Sequence, residues 1–504
     1  MKRICTLLLA AGLVFGAATG ASAIDFKAKG EWLMGFGVGD TSPLKYSRDN
    51  GQPSQKENTE DVFDARQRVR LQLDAVASEA LSGTVYFEIG DQLWGQNASG
   101  AALGADGRVV EVKRAYIDWI VPQTDLKFRM GIQGVVLPNV AGGSAIMDDD
   151  VAGITASYQF NENVGLTALW ARPFNDNFGG LPRGVRQGNA YGNSNYLDNV
   201  DLFALMLPIK LDGFAVTPWA MYGIIGHNAF SGDPKGNDYG PAFVPYDLPA
   251  NEEGLGHTGK AYGSAFWAGL PLSVTAWDPL NIELDINYGY VEAMGRYDVT
   301  NRSSNLLRRG NSQRQGWLAK ALVEYKMDWG TPGIFGWYAS GDDGSVKNGS
   351  ERMPAISPCG NFTSFLGDGN LGWARQDYML NYAGTWGIGL QLRDMSFLED
   401  LSHTFRVAYW GGTNNTSMVK YMNNAYAWND GYGFEGPYLT TNDGLVEFNL
   451  VNSYQIYENL EMNLELDYVI NCMDNGTWRR SAYNNGSFSK QDMWKAQVVF
   501  AYTF

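Results

Sequence analysis

Arginine recurs at every second position in Arg66, Arg68 and Arg70, interleaved with Val69, Leu71 and Leu73. In an extended chain the three guanidinium groups share one face and the apolar side chains share the other. Arg114, Lys127 and Arg129 continue the basic series. On a lipid-facing strand each such charge would cost roughly 2 to 4 kcal/mol at mid-bilayer, so a wall of this kind belongs to water. Its chemistry is electrostatic: fixed charges along a passage orient dipolar solutes and bias ions. The competing reading pairs these cations with neighbouring acids, Glu465 and Asp467 among them, and makes them stiffeners of a wall.

Other chemistries find few residues to carry them. There is no G-x-S-x-G, H-E-x-x-H or C-x-x-C, and His227, His257 and His403 lie far apart. Asp342-Asp343 and Asp148 to Asp150 are of the right type for Ca²⁺, but no twelve-residue calcium loop surrounds them and acid pairs in loops are usually solvated. A glycosidase pair is defined by a separation that sequence does not supply. No catalytic residue, metal or cofactor is therefore expected. With 54 acidic against 38 basic residues, nucleic acid is not an expected partner either.

The elements that must carry the basic wall show a period of two. Phe26, Ala28, Gly30, Trp32, Met34, Phe36 and Val38 oppose Lys27, Lys29 and Glu31; Ile282, Leu284, Ile286, Tyr288 and Tyr290 oppose Asn281, Glu283, Asp285 and Asn287. The same alternation marks 66 to 75, 114 to 121, 126 to 133, 377 to 393, 461 to 470 and 494 to 504. These are β-strand signatures. No apolar run after residue 23 reaches the roughly 18 to 20 residues of a membrane helix. Short links (78 to 83, 122 to 125, 161 to 163, 212 to 213, 330 to 332, 457 to 460) alternate with long Gly, Asn, Asp and Ser-rich ones (39 to 60, 174 to 198, 227 to 259, 294 to 315, 341 to 376, 411 to 442).

Long amphipathic strands, short turns at one end and long loops at the other predict an all-β, transmembrane antiparallel β-barrel over residues 24 to 504, of about 18 strands. Irregular patterns near 164 to 172 and 260 to 277 leave 16 as the alternative. In lipid every backbone group must be paired, so the sheet has to close. A barrel this wide leaves an aqueous channel. Trp119 before Pro122 and Trp329 before Pro332 fit an interfacial aromatic girdle.

Residues 1 to 23 read as a cleaved signal peptide: Lys2 and Arg3, an apolar stretch from Ile4 to Ala18, then Ala21-Ser22-Ala23. Removing them leaves 36 basic residues and a net charge of −18. Cys5 goes with the leader. Cys359 and Cys472 remain, either bridged or as separate thiols.

The final stretch Val498-Val499-Phe500-Ala501-Tyr502-Thr503-Phe504, following a signal peptide and an immediate first strand, resembles the Gram-negative trimeric porins. The overall pattern is similar to the homotrimeric porins of sulfate-reducing bacteria. The resemblance implies a Gram-negative outer-membrane location and a homotrimer. It also implies an assembly signal in Phe500, Tyr502 and Phe504, read by the barrel-assembly machinery, and passive diffusion of small hydrophilic solutes and ions. In that family the loop after the fifth strand folds inward as a constriction. By strand order this is Leu137 to Asp150 here, with Asp148, Asp149 and Asp150 as its acidic side facing the basic wall. A secreted soluble carbohydrate-binding β-protein and a barrel enzyme are the alternative functions.

Overall fold

In the computed structural model the described residues are 24–40, 44–46, 62–104, 110–175, 199–226, 261–293, 296–301, 304, 306–360, 362–367, 382–422, 438–478 and 488–504. The leader 1–23, His227 and His257 lie outside them.

The chain forms one closed antiparallel sheet. Its strands are β1 Asp25–Asp40, β2 Val62–Ser78, β3 Leu81–Leu93, β4 Val110–Ile120, β5 Lys127–Val136, β6 Asp148–Gln159 and β7 Gly165–Asn175. Next come β8, Asn199–Met206 continued by Ile209–Leu211, and β9, Phe214–Val216 continued by Trp219–Gly226. The circuit is completed by β10 Tyr262–Val274, β11 Leu280–Val291, β12 Arg314–Tyr325, β13 Thr331–Ala339, β14 Thr385–Leu398, β15 Leu401–Gly412, β16 Gly444–Tyr457, β17 Leu460–Asn471 and β18 Met493–Thr503. β8 and β9 are each broken near a proline, Pro208 and Pro218, because proline brings no N–H to the ladder. Leu207 N–H still donates to Pro218 O at 3.0 Å, so each pair of pieces is one strand and the barrel has 18. Of the stretches that left 16 open, 164 to 172 covers most of β7 and 260 to 277 contains β10.

Closure runs through β1, which pairs with β18 (Trp32 opposite Tyr502) and with β2 (Trp32 opposite Val69). Directly opposed residues share a face. Trp32 and Met34 are exposed on the outside while Leu33 is 3% exposed on the inside. The same outward belt continues through Ile117, Trp119, Met130, Trp170, Phe203, Ile286, Trp317, Ile388 and Leu466. Trp119, Trp277 and Trp329 are exposed beside short turns.

The pattern over 377 to 393 predicts one strand, but β14 begins only at Thr385, and 368–381 lie outside the described residues. Tyr382, 2% exposed, belongs to the interior instead, where its ring packs on Trp337 and Trp410.

Candidate functional site

The register of β1 with β2 sets Arg66 opposite Gly35, Arg68 opposite Leu33 and Arg70 opposite Glu31, on the inward face. Arg70 is also opposite Glu88 of β3, and Arg129 of β5 is opposite Asp118 of β4. Opposed charges at this spacing pair readily. Arg70 Nε donates to Glu88 Oε2 at 2.6 Å, and Arg129 forms a bidentate fork with Asp118 at 2.7 and 2.8 Å. Lys127 Nζ lies 3.1 Å from the same carboxylate. Arg66 is 3.6 Å from Asp64 and Arg68 is 3.5 Å from Asp91. Arg114 binds Asp150, passing over Gly134, where a Cβ would stand 2.7 Å from the guanidinium. All six cations thus combine a luminal strand series with an acidic neighbour, and their side chains stay between 15% and 45% exposed. Glu465 and Asp467 of β17 hold Lys495 of β18, at 2.8 and 3.3 Å.

The acidic run is placed differently from the expectation. Asp148, Asp149 and Asp150 open β6 instead of lying in the preceding loop. In a strand consecutive side chains alternate, so they cannot form one acidic front. Asp149 is opposite Val135, two residues from Gln133, and accepts from Ser357 Oγ at 2.8 Å. Asp148 and Asp150 are opposite Val136 and Gly134, and Asp150 takes Lys113 at 2.9 Å besides Arg114.

The connection 137–147 leaves β5, crosses the barrel and contacts the wall formed by β9, β11 and β12. Pro138 O accepts from Trp219 Nε1 at 2.9 Å, and Asn139 Oδ1 accepts from Asn287 Nδ2 at 3.2 Å. The N–H groups of Val140 and Ala141 donate to the Asp285 carboxylate at 3.1 and 2.7 Å. Gly143 O accepts from Lys320 Nζ, which is 3.4 Å from Asp285. Gly142 (φ 58°) and Gly143 (φ 76°) adopt left-handed backbone that side chains disfavour, and this lets the tip turn against Lys320 and Tyr382.

A second connection, between β13 and β14, also enters the barrel over its described residues 340–360 and 362–367, and the sequence reading missed it. Ile356 and Ser357 N–H donate to Ile146 O at 2.8 and 3.0 Å, and Cys359 N–H to Ser144 O at 2.8 Å, so the two connections are tied backbone to backbone. Phe362 stacks on Phe335 of β13 at 4.7 Å. A signal was present: Phe362, Phe365 and Leu366 are large apolar residues in an otherwise Gly, Asn and Ser-rich link.

The two connections make the lumen one-sided. Inward residues Asp285, Asn287, Lys320, Glu447, Asn449, Glu465, Lys495 and Gln497 are at most 2% exposed, whereas the β2 to β5 wall remains wet. Along that wall lies a cavity of about 250 Å³, edged by Lys127, Arg129, Thr155, Ser157 and Thr167, with Leu169 and Met206 as its apolar side.

Among the described residues no group of three or more His, Cys, Asp or Glu has the arrangement of a metal site. His403 Nδ1 bonds Asn452 Oδ1 at 2.7 Å. Cys359 and Cys472 are not bridged.

No protein-family model matches the chain, and no curated protein matches its sequence. Among solved structures, it is similar to a BenF-like porin from Pseudomonas fluorescens Pf-5, at 9% identity and a TM-score of 0.50, over 95% of this chain and 98% of that one. It is similar to the same extent, at 10% identity, to Pseudomonas aeruginosa OccK2 (OpdF) in complex with glucuronate, again with 95% and 98% covered and a TM-score of 0.50. At this identity what the three chains share is the fold, a closed 18-stranded antiparallel barrel.

Proposed function

We propose that the chain is an outer-membrane porin through which small hydrophilic solutes and ions diffuse passively. The observation that carries this reading is a closed barrel with an apolar outer belt and a half-exposed, charged inner wall on β2 to β5. An outward belt of Trp, Phe, Ile and Leu this continuous disfavours a soluble carbohydrate-binding protein, since monomeric soluble proteins rarely expose so large an apolar surface.

On this reading, residues 1–23 direct export and are removed, and the barrel resides in the Gram-negative outer membrane. Phe500, Tyr502 and Phe504 are then recognised by the barrel-assembly machinery. A homotrimer, as in the sulfate-reducer porins that the sequence resembles, belongs to the same proposal. Arg66, Arg68, Arg70, Arg114, Lys127 and Arg129 are its pore-lining wall, and the acid beside each cation keeps the net field weak. The constriction is assigned to 137–147, with Asp149 and Asp150 at its base.

Purified protein in a planar bilayer tests the function: discrete, ohmic conductance steps support it. A folded, detergent-extracted barrel that gives none would refute it.

A further inference from the structure

Glu447, in β16, is fully buried, and its carboxylate is turned to main-chain donors of a loop 81 and 82 positions earlier in the chain. Phe365 N–H donates to Glu447 Oε1 at 2.8 Å and Leu366 N–H to the same oxygen at 3.2 Å. Ser364 N–H donates to Asn449 Oδ1 at 3.1 Å, and Asn449 Nδ2 itself donates to Glu447 Oε1 at 2.9 Å. Three successive amides thus converge on one carboxylate and its amide neighbour, the arrangement in which a run of backbone N–H groups holds an anion. The remaining oxygen, Oε2, accepts from Trp410 Nε1 at 3.1 Å.

Residues 362–367 are buried throughout, including the polar Thr363 and Ser364, both 0% exposed. They span a chord of the barrel, from the Phe362 ring on Phe335 of β13 to the amides on β16. They also support the inward connection 137–147, because a Cβ on Gly142 would meet the Phe362 ring at 2.6 Å. Beneath them, Glu447, Asn449, Glu465, Asp467, Lys495 and Gln497 form a polar inner wall on β16 to β18. Inward residues of that polarity are what a water-lined channel wall carries, yet here the loop covers them.

We propose that 362–367 is a stopper seated on a second, polar half of the lumen, and that Glu447 is the positioning residue that holds it there. The segment therefore sets the size of the conducting passage. No bond changes and no ligand is needed: the two states differ in whether the Ser364, Phe365 and Leu366 amides meet the β16 acceptors or water. This inference rests on the porin reading above.

The test uses the full chain in planar bilayers, with wild type, Glu447→Ala and Glu447→Gln compared among folded, heat-modifiable preparations. Glu447→Gln keeps a carbonyl oxygen for the two amides and is expected to conduct as wild type does. Glu447→Ala is expected to raise single-channel conductance on the order of twofold, as a second half of the wall meets water, and to admit larger neutral solutes. A parallel set carries Leu366→Cys with Cys359→Ser and Cys472→Ser. A membrane-impermeant maleimide should label the introduced thiol only when Glu447 is replaced by Ala.

A wild type without channels overturns the porin reading itself. A conducting wild type with unchanged conductance in Glu447→Ala overturns the stopper, whether or not the introduced thiol is labelled. If Glu447→Ala yields no folded barrel, Phe365→Ala with Leu366→Ala trims the stopper and leaves the cradle intact. Raised conductance then supports the proposal, and unchanged conductance overturns it.

Discussion

Lys320 is a single residue on which a loop position depends. It is 2% exposed, donates to Gly143 O and neutralises Asp285, which in turn holds the amides of Val140 and Ala141. Removing one partner of a buried pair leaves an uncompensated charge, so Lys320→Met should cost about 3 to 5 kcal/mol. Urea-induced unfolding in detergent checks this, and a loss below about 1 kcal/mol would mean that water replaces the ammonium group, as at an exposed ion pair.

Glu351, in the connection after β13, titrates within reach of experiment. It accepts from Asp343 N–H at 3.0 Å and from Asn348 Nδ2 at 2.9 Å. Burial pushes its carboxyl up to about 7, with the charges of Asp342 and Asp343 adding to the rise and the Asp343 N–H opposing it. A raised folded value means that the folded loop binds the proton more tightly than the unfolded loop does. Its contribution is therefore complete below the unfolded value of 4.5 and is lost as pH rises through about 7. Hydrogen exchange of 340–351 should accelerate across that window, after correction for the intrinsic rate, and level off above it. Glu351→Gln should remove the window.

At the level of the element, strand parity decides which residues meet lipid and which meet water. The period-two reading put Arg66, Arg68 and Arg70 on one side, and the β1–β2 register places them with Leu33 on the inside. That much was legible because alternation is a local property of the chain. The last strand joins the first through Gly30, whose N–H donates to Phe504 O at 2.9 Å and whose O accepts from Phe504 N–H at 3.1 Å. The Phe504 ring lies 5.4 Å from Trp32, and a Cβ on Gly30 would meet it at 2.5 Å. Phe504→Asp is therefore expected to lower the fraction of folded, heat-modifiable protein in outer membranes while export across the inner membrane continues. Equal folded fractions in variant and wild type would refute a closing role for this residue.

For the whole molecule, the charge pattern of the open side governs selectivity. Because Arg66, Arg68 and Arg70 sit beside Asp64, Asp91 and Glu88, replacing all three with Ala would remove three positive charges from the passage and leave the carboxylates in place. Selectivity should move toward cations. Replacing Asp148, Asp149 and Asp150 with Asn should move it toward anions, through loss of Asp149 on the inward parity and through release of Lys113 and Arg114 from Asp150. Reversal potentials under a salt gradient measure both. The shifts should shrink as the screening length falls from about 10 Å at 0.1 M to about 3 Å at 1 M. Folded pores of unchanged selectivity at low salt would make these residues structural ion pairs alone.

The sequence by itself determined that the sheet must close, because its strands are apolar on one face and polar on the other, and lipid accepts no unpaired backbone. It also determined the alternation of turns and loops, through the distribution of Gly, Asn and Asp between the apolar runs. The tertiary structure alone decided what fills the barrel. Asp148 to Asp150 are strand residues because Met147 and Asp148 are drawn into bonds with Leu137 and Ser357, contacts that no local pattern records. The seat of Phe365 on Glu447 joins positions 82 residues apart, and Tyr382 is bonded to Gly142 across 240. Side-chain period reports the direction in which a residue points, but the partner it meets there depends on how far the closed wall has brought distant strands around. For that reason the wall could be read along the chain, while the one-sided lumen appears only once the barrel is closed.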